Sequence, residues 1–268
     1  MKSHFGIKLV FIAMLVFRGL SSSAQGFDHS QKTWTSLLAK YTSTKGQSTA
    51  VKYKEWKNQT TELDLYLKSI EEITKSDFAK FTKSEQLSFL INSYNAFTVK
   101  LILNNYPVRS IKDINTGVNF DCLLGKCPWK LKFFKLFGEE QNLDTIEHQF
   151  IRAQFNEPRI HFSLVCASVG CPALRREAFS SEKLESQLED AALQFLTDKT
   201  KNRFNSEKQT LELSKIFEWY GGDFVKKFGS LEQFLANRIT SNPAEQELIR
   251  NKKTKISFPI DYDWSLNE

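Results

Sequence analysis

The run from Arg159 to Pro172, Arg-Ile-His-Phe-Ser-Leu-Val-Cys-Ala-Ser-Val-Gly-Cys-Pro, places His161 just upstream of Cys166 and Cys171. A thiol beside an imidazole can do nucleophilic, metal or redox chemistry, because the thiolate is both nucleophile and metal ligand. In the nucleophilic reading, Gly170-Cys171-Pro172 suits a helix start, with proline at the first helical position. The positive end of that helix would pull the thiol towards thiolate. His161 or His148 would take its proton, and Glu147 or Asp144 would orient the imidazole. Cys166 or Cys171 would be the nucleophile. Ser168 supports the turn but is no hydrolase elbow, since Cys-Ala-Ser-Val-Gly lacks the leading glycine.

The competing reading is a disulfide. The chain opens with a basic start at Lys2 and Lys8, an apolar stretch from Val10 to Phe17, and small residues Ser22 and Ala24. That is the pattern of an export signal cleaved after Ala24, and the apolar stretch is too short for a permanent membrane span. The expected location is therefore periplasmic or extracellular. Paired cysteines tend to oxidise there. Cys122, Cys127, Cys166 and Cys171 allow three pairings, and a Cys166 to Cys171 bridge would remove the thiol nucleophile. A zinc site using all four sulfurs, with or without His161, is the metal alternative. Its spacing is loose and export disfavours reduced thiols, so no metal is assigned.

Other partners are narrowed by composition. The net charge is +6, and half of it comes from Lys2, Lys8 and Arg18 in the leader. Lysines and glutamates interleave along the rest, which is a solvated surface rather than a nucleic-acid face. No P-loop and no dinucleotide glycine motif occurs, so no nucleotide cofactor is implied. A small-molecule or peptide ligand remains.

The elements that must position these residues are mostly helical. Apolar spacing predicts helices over 29–41, 61–74, 82–103, 142–155, 180–197, 214–224 and 230–238. Strands are predicted over 48–56, 133–137, 159–165, 210–213 and 256–260. Thr82-Lys83-Ser84-Glu85 is a capping box, and the helix after it is apolar almost all round, hence buried. Asn92 and Asn95 belong to a polar stripe on that helix. They either fix loop backbone or support the cysteine turn. Asp144, His148 and Arg152 fall one turn apart on the helix capped by Asn142. In a strand, His161 and Ser163 would face away from Ile160, Phe162 and Leu164. The expected class is α+β, a mostly helical single domain over 25–268 (core about 50–267) with a small, largely antiparallel sheet.

Four ordered motifs then carry a resemblance: Ile91-Asn-Ser-Tyr-Asn-Ala-Phe97, Leu143-Asp-Thr-Ile-Glu-His148, the run from Pro158 to Pro172, and Tyr262-Asp-Trp-Ser-Leu-Asn267. Together they resemble the domain of unknown function 547 family, which includes exported bacterial proteins and plant proteins with a leucine-zipper region. The resemblance implies identity more than mechanism. It also keeps His148, otherwise readable as a surface ion-pair residue, among the site candidates. The first functional expectation is a thiol- and histidine-based hydrolase or transferase acting on an extracytoplasmic peptide or amide, reminiscent of papain-like enzymes by analogy. The second is a non-enzymatic binding or scaffold domain with structural disulfides. A zinc- or redox-active thiol site is the third.

Overall fold

The computed structural model describes residues 26–115, 117 and 127–268. The expected leader and Cys122 lie outside the described residues. The chain begins with α1 (Lys32–Tyr41), the hairpin β1 (Thr42–Lys45) and β2 (Ser48–Val51), then α2 (Tyr53–Lys57), α3 (Thr61–Glu71), α4 (Lys75–Lys80) and α5 (Lys83–Asn105). The hairpin β3 (Phe134–Leu136) and β4 (Glu139–Gln141) leads into α6 (Leu143–Thr145), which continues as a π-helix over Ile146–Arg152. A 3-10 helix spans Pro158–Phe162. Then follow α7 (Leu184–Thr197), β5 (Arg203–Asn205), β6 (Thr210–Ser214), α8 (Lys215–Phe228), α9 (Leu231–Leu235), α10 (Pro243–Arg250) and β7 (Lys255–Ile260). The fold is α+β and mostly helical. Its strands form three small sheets among the described residues, and only the β6 to β7 pairing is parallel.

The central helix forms for the reason its sequence gives. Thr82 accepts from the Glu85 amide at 3.3 Å, and Glu85 reaches back to the Thr82 amide at 2.8 Å. From Gln86 to Val99 every residue of α5 is buried. Its end precedes Tyr106-Pro107, where the residue before proline leaves the helical region. Asn142 likewise caps α6, accepting from the Thr145 amide at 2.8 Å.

Several expectations are corrected. The strand expected over 48–56 stops at Val51, because Tyr53 and Trp56, three apart, both bury on α2. No strand runs from Arg159 to Val165. Pro158 opens the 3-10 helix and Glu157 caps it by accepting from the Arg159 amide at 3.2 Å. The apolar alternation is real, but it serves two cores. Ile160 and Leu164 join the larger core around α5, and Phe162 joins a second core of Phe195, Phe217, Phe224 and Phe234. No helix starts at Pro172; the next one begins at Leu184. No helix dipole therefore acts on the Cys171 thiol. The helix expected to end at Phe224 passes through Gly221 and Gly222 to Phe228, and stops at Gly229 with φ 82°.

The last residues fold back across the cysteine turn. Gly170 donates to the Asp263 carbonyl at 2.8 Å and Val169 to that of Ser265 at 2.9 Å, while Asn267 donates to the Ala167 carbonyl at 3.2 Å. A Cβ on Gly170 would stand 3.0 Å from the backbone of Asp263, so this close approach requires glycine.

Candidate functional site

A cavity of about 450 Å³ opens where the π-helix, the 3-10 helix with the cysteine turn, α8 and the folded-back tail meet. The π-helix contributes Glu147 and His148. Its wider turn lets both of these sequence neighbours face the cavity, and such segments recur at functional sites. The 3-10 helix contributes His161, whose side chain is almost wholly buried between the two cores.

His161 Nε2 lies 2.8 Å from Asp223 Oδ2. Asp223, on α8, also accepts two bonds from Arg152, at 2.7 and 2.9 Å. Its hydrogen bond from His161, then those from Arg152, hold the Asp223 carboxyl far below the usual carboxylate range. An ionised carboxylate only accepts, so Nε2 carries the ring proton and Nδ1 keeps an open lone pair. Burial lowers the His161 pKa below 6.5, outweighing the Asp223 hydrogen bond and the nearby charge of Glu147, which raise it. The imidazole is thus neutral at pH 7. Its ring stacks on Tyr220 with centroids 4.0 Å apart, and its Nδ1 stands 4.0 Å from Glu147 Oε1, beyond hydrogen-bond reach. Tyr220 bonds Glu147; burial, then the charge of Glu147 and that bond, push the phenol well above its ordinary value.

The second imidazole joins the same network from outside. His148 Nδ1 accepts from Arg152 at 3.0 Å, and its Nε2 lies 3.6 Å from Asp144 Oδ1, with both side chains 36% exposed. A chain of polar side chains therefore runs Asp144, His148, Arg152, Asp223, His161. The two histidines share cavity walls with Cys166 and Cys171.

The sulfurs take a different set of partners. Cys166 and Cys171 are joined, with Sγ atoms 2.28 Å apart. Ser168 Oγ sits 3.1 Å from the Cys166 sulfur and 3.3 Å from that of Cys171; the Tyr262 hydroxyl sits at 3.2 and 3.1 Å. Among the described contacts, no imidazole bonds a sulfur. Cys127 lines the cavity too, and Cys122 lies outside the described residues. Among the described residues, no group of three or more His, Cys, Asp or Glu side chains is placed to hold a metal ion. No described helix is long and apolar enough to cross a membrane.

Asn92 and Asn95 do structural work. Asn92 donates to the Phe179 carbonyl at 2.7 Å and accepts from the Phe179 amide at 3.0 Å. Asn95 does the same with the Ser163 carbonyl at 2.9 Å and the Val165 amide at 3.0 Å, one residue before Cys166. These bonds anchor the segment that carries His161 to α5.

Residues 78–196 match the model of a family described as "Protein of unknown function, DUF547". Over these residues the chain carries a DUF547-type region. No curated protein and no solved structure matches it. The matched stretch is shorter than the 50–267 expected from motifs. It holds Asn92, Asn95, Asp144, Glu147, His148, His161 and the cysteine turn. Asp223, Tyr220 and three wall aromatics of the cleft, Trp219, Tyr262 and Trp264, lie beyond it. Sequence reasoning missed Asp223 and its neighbours. The available signal was an acid on α8 at i+3 and i+4 from Tyr220 and Trp219.

Proposed function

We propose that the cleft is an acid–base catalytic site of hydrolase or transferase type, acting on an extracytoplasmic peptide or amide. The observation that carries this reading is the 2.8 Å contact from Asp223 to His161 Nε2, which orients a neutral, cavity-lining ring and leaves its Nδ1 beyond hydrogen-bond reach of Glu147. His161 acts as general base, and Asp223 is its positioning residue. With Cys166 and Cys171 joined, the nucleophile is water. The base takes a proton from water as its oxygen bonds the carbonyl carbon. The same proton passes to the nitrogen as the C–N bond breaks, so the imidazole returns neutral. The leader pattern supports action outside the cytoplasm.

The test is turnover of a panel of chromogenic anilides by wild type, His161→Ala and Asp223→Asn, with and without a dithiol. Turnover by the oxidised protein that falls by 10²-fold or more in His161→Ala is expected. Turnover that appears only with dithiol would transfer the nucleophile's role to a thiol. No turnover in either state would favour the second reading, a binding domain with a structural bridge. The specific support for that second reading is the Cys166 to Cys171 disulfide itself, which ties the turn and masks both thiols.

A further inference from the structure

Three of the five tryptophans, Trp129, Trp219 and Trp264, stand at the cleft, while Trp34 and Trp56 are sealed in the core. Trp219 is 45% exposed, an unusual position for so large an apolar ring. Its plane lies 29° from that of Trp264 with centroids 5.9 Å apart, so the two rings are offset rather than sandwiched. Tyr262 packs 4.6 Å from Trp264 and 5.0 Å from Trp219, and Trp129 closes the far side at 5.8 Å from Trp264. The result is an uneven aromatic floor, its rings tilted 29° to 70° to one another, beside the partly exposed polar pair Asp144 and His148.

We propose that this floor is a saccharide subsite, and that the cleft's substrate class is an amide carried on a sugar. The second half rests on the catalytic reading above; the subsite does not. Three observations select a sugar over other flat or apolar ligands. First, the charges at the cleft offset one another. Asp144 and Glu147 line it with Lys130, and the Lys112 ammonium stands over Trp264, which favours a neutral ligand. Second, a face of Trp264 already carries the Lys112 ammonium, 3.6 Å from the ring centroid, so a cationic ligand would meet a like charge there. Third, the backbone from Ala167 to Gly170, which could otherwise pair with an extended peptide, is taken up by the protein's own tail. A pyranose meets all three conditions. Its C–H face stacks on Trp219, and its rim of hydroxyls reaches Asp144 and His148. An acylamino group on the ring then reaches down towards His161.

The test is tryptophan fluorescence of the full chain, titrated with chitotetraose and separately with adenosine, choline and tetra-alanine. Trp34 and Trp56 are buried, so a ligand-dependent change reports the cleft. Saturable quenching by chitotetraose is expected, with affinity weakened about 5- to 10-fold in Trp219→Ala and largely restored in Trp219→Phe. The exposure of Trp219 lets both variants fold, which far-UV circular dichroism checks. No saturable quenching by the sugar overturns the subsite. So does equal affinity in Trp219→Ala, or tighter binding of adenosine, choline or tetra-alanine. If chitotetraose binds as stated but no amide is turned over, the catalytic reading fails alone.

Discussion

Asn92 and Asn95 on α5, and His161 beside the cleft, are all polar groups buried in an interior of phenylalanine and leucine. They are bonded in opposite ways. Each asparagine uses both ends of its amide on backbone within 3.0 Å, so nothing is left to react. His161 lines the cavity, uses Nε2 on an ionised carboxylate and leaves Nδ1 4.0 Å from Glu147, beyond hydrogen-bond reach. A closed pair of bonds fixes geometry. An open lone pair on a rigid, neutral ring can move a proton. The difference also explains their neighbours. Asn95 holds Ser163 and Val165, and thereby sets where His161 and Cys166 stand.

Removing a closed amide should cost most. Asn95→Ala strands the Val165 amide and the Ser163 carbonyl, each about 1–3 kcal/mol to leave unpaired. Thermal unfolding should shift down by roughly 5–15 °C, and an unshifted transition would mean the amide is not structural. Gly170→Ala comes next. Its Cβ would press 3.0 Å against Asp263 backbone, so the tail must move, at about 1–3 kcal/mol, and the tryptophan emission of the cleft should shift with it.

Acid should separate the two partners of the cleft. The folded pKa of His161 lies below 6.5, so the unfolded chain binds more protons once pH falls below that value. Stability should be flat above pH 6.5 and decline as pH falls from there towards the folded pKa. Asp223 is depressed too, so its contribution is present above 3.8 and is lost only at more acid pH. Denaturant midpoints at a series of pH values read both windows, and His161→Asn should flatten the upper one. His148→Ala should matter least for stability, by under about 0.5 kcal/mol, since its ion pair is exposed. A large loss there would show that the outer imidazole is as structural as the asparagines.

What the sequence made legible was local. The Thr82 capping box, the Asn142 cap and the all-round burial of α5 follow from neighbours a few residues apart. The Asp144, His148, Arg152 line was also readable, although the π-helix beneath it was not. Long-range facts were hidden. The alternation from Ile160 to Leu164 looks like a strand because period-two burial has two causes, one sheet face or two cores on either side, and only tertiary packing separates them. Asp223 stands 62 positions beyond His161, so no spacing rule links them. The Tyr262-Asp263-Trp264 motif was visible as a motif, but its place was not: it docks the tail on the cysteine turn, and its two aromatic rings become cleft wall.

The chemistry of the cleft turns on the protonation state of one ring. Long-range nitrogen–proton NMR of the His161 imidazole at neutral pH measures it directly. The expected spectrum is a neutral ring with the proton on Nε2, titrating below 6.5 and moving lower still in Asp223→Asn, where the carboxylate that raises it is gone. A ring protonated on both nitrogens at pH 7, or one carrying its proton on Nδ1, would contradict the oriented base and leave the cleft without its acid–base chemistry.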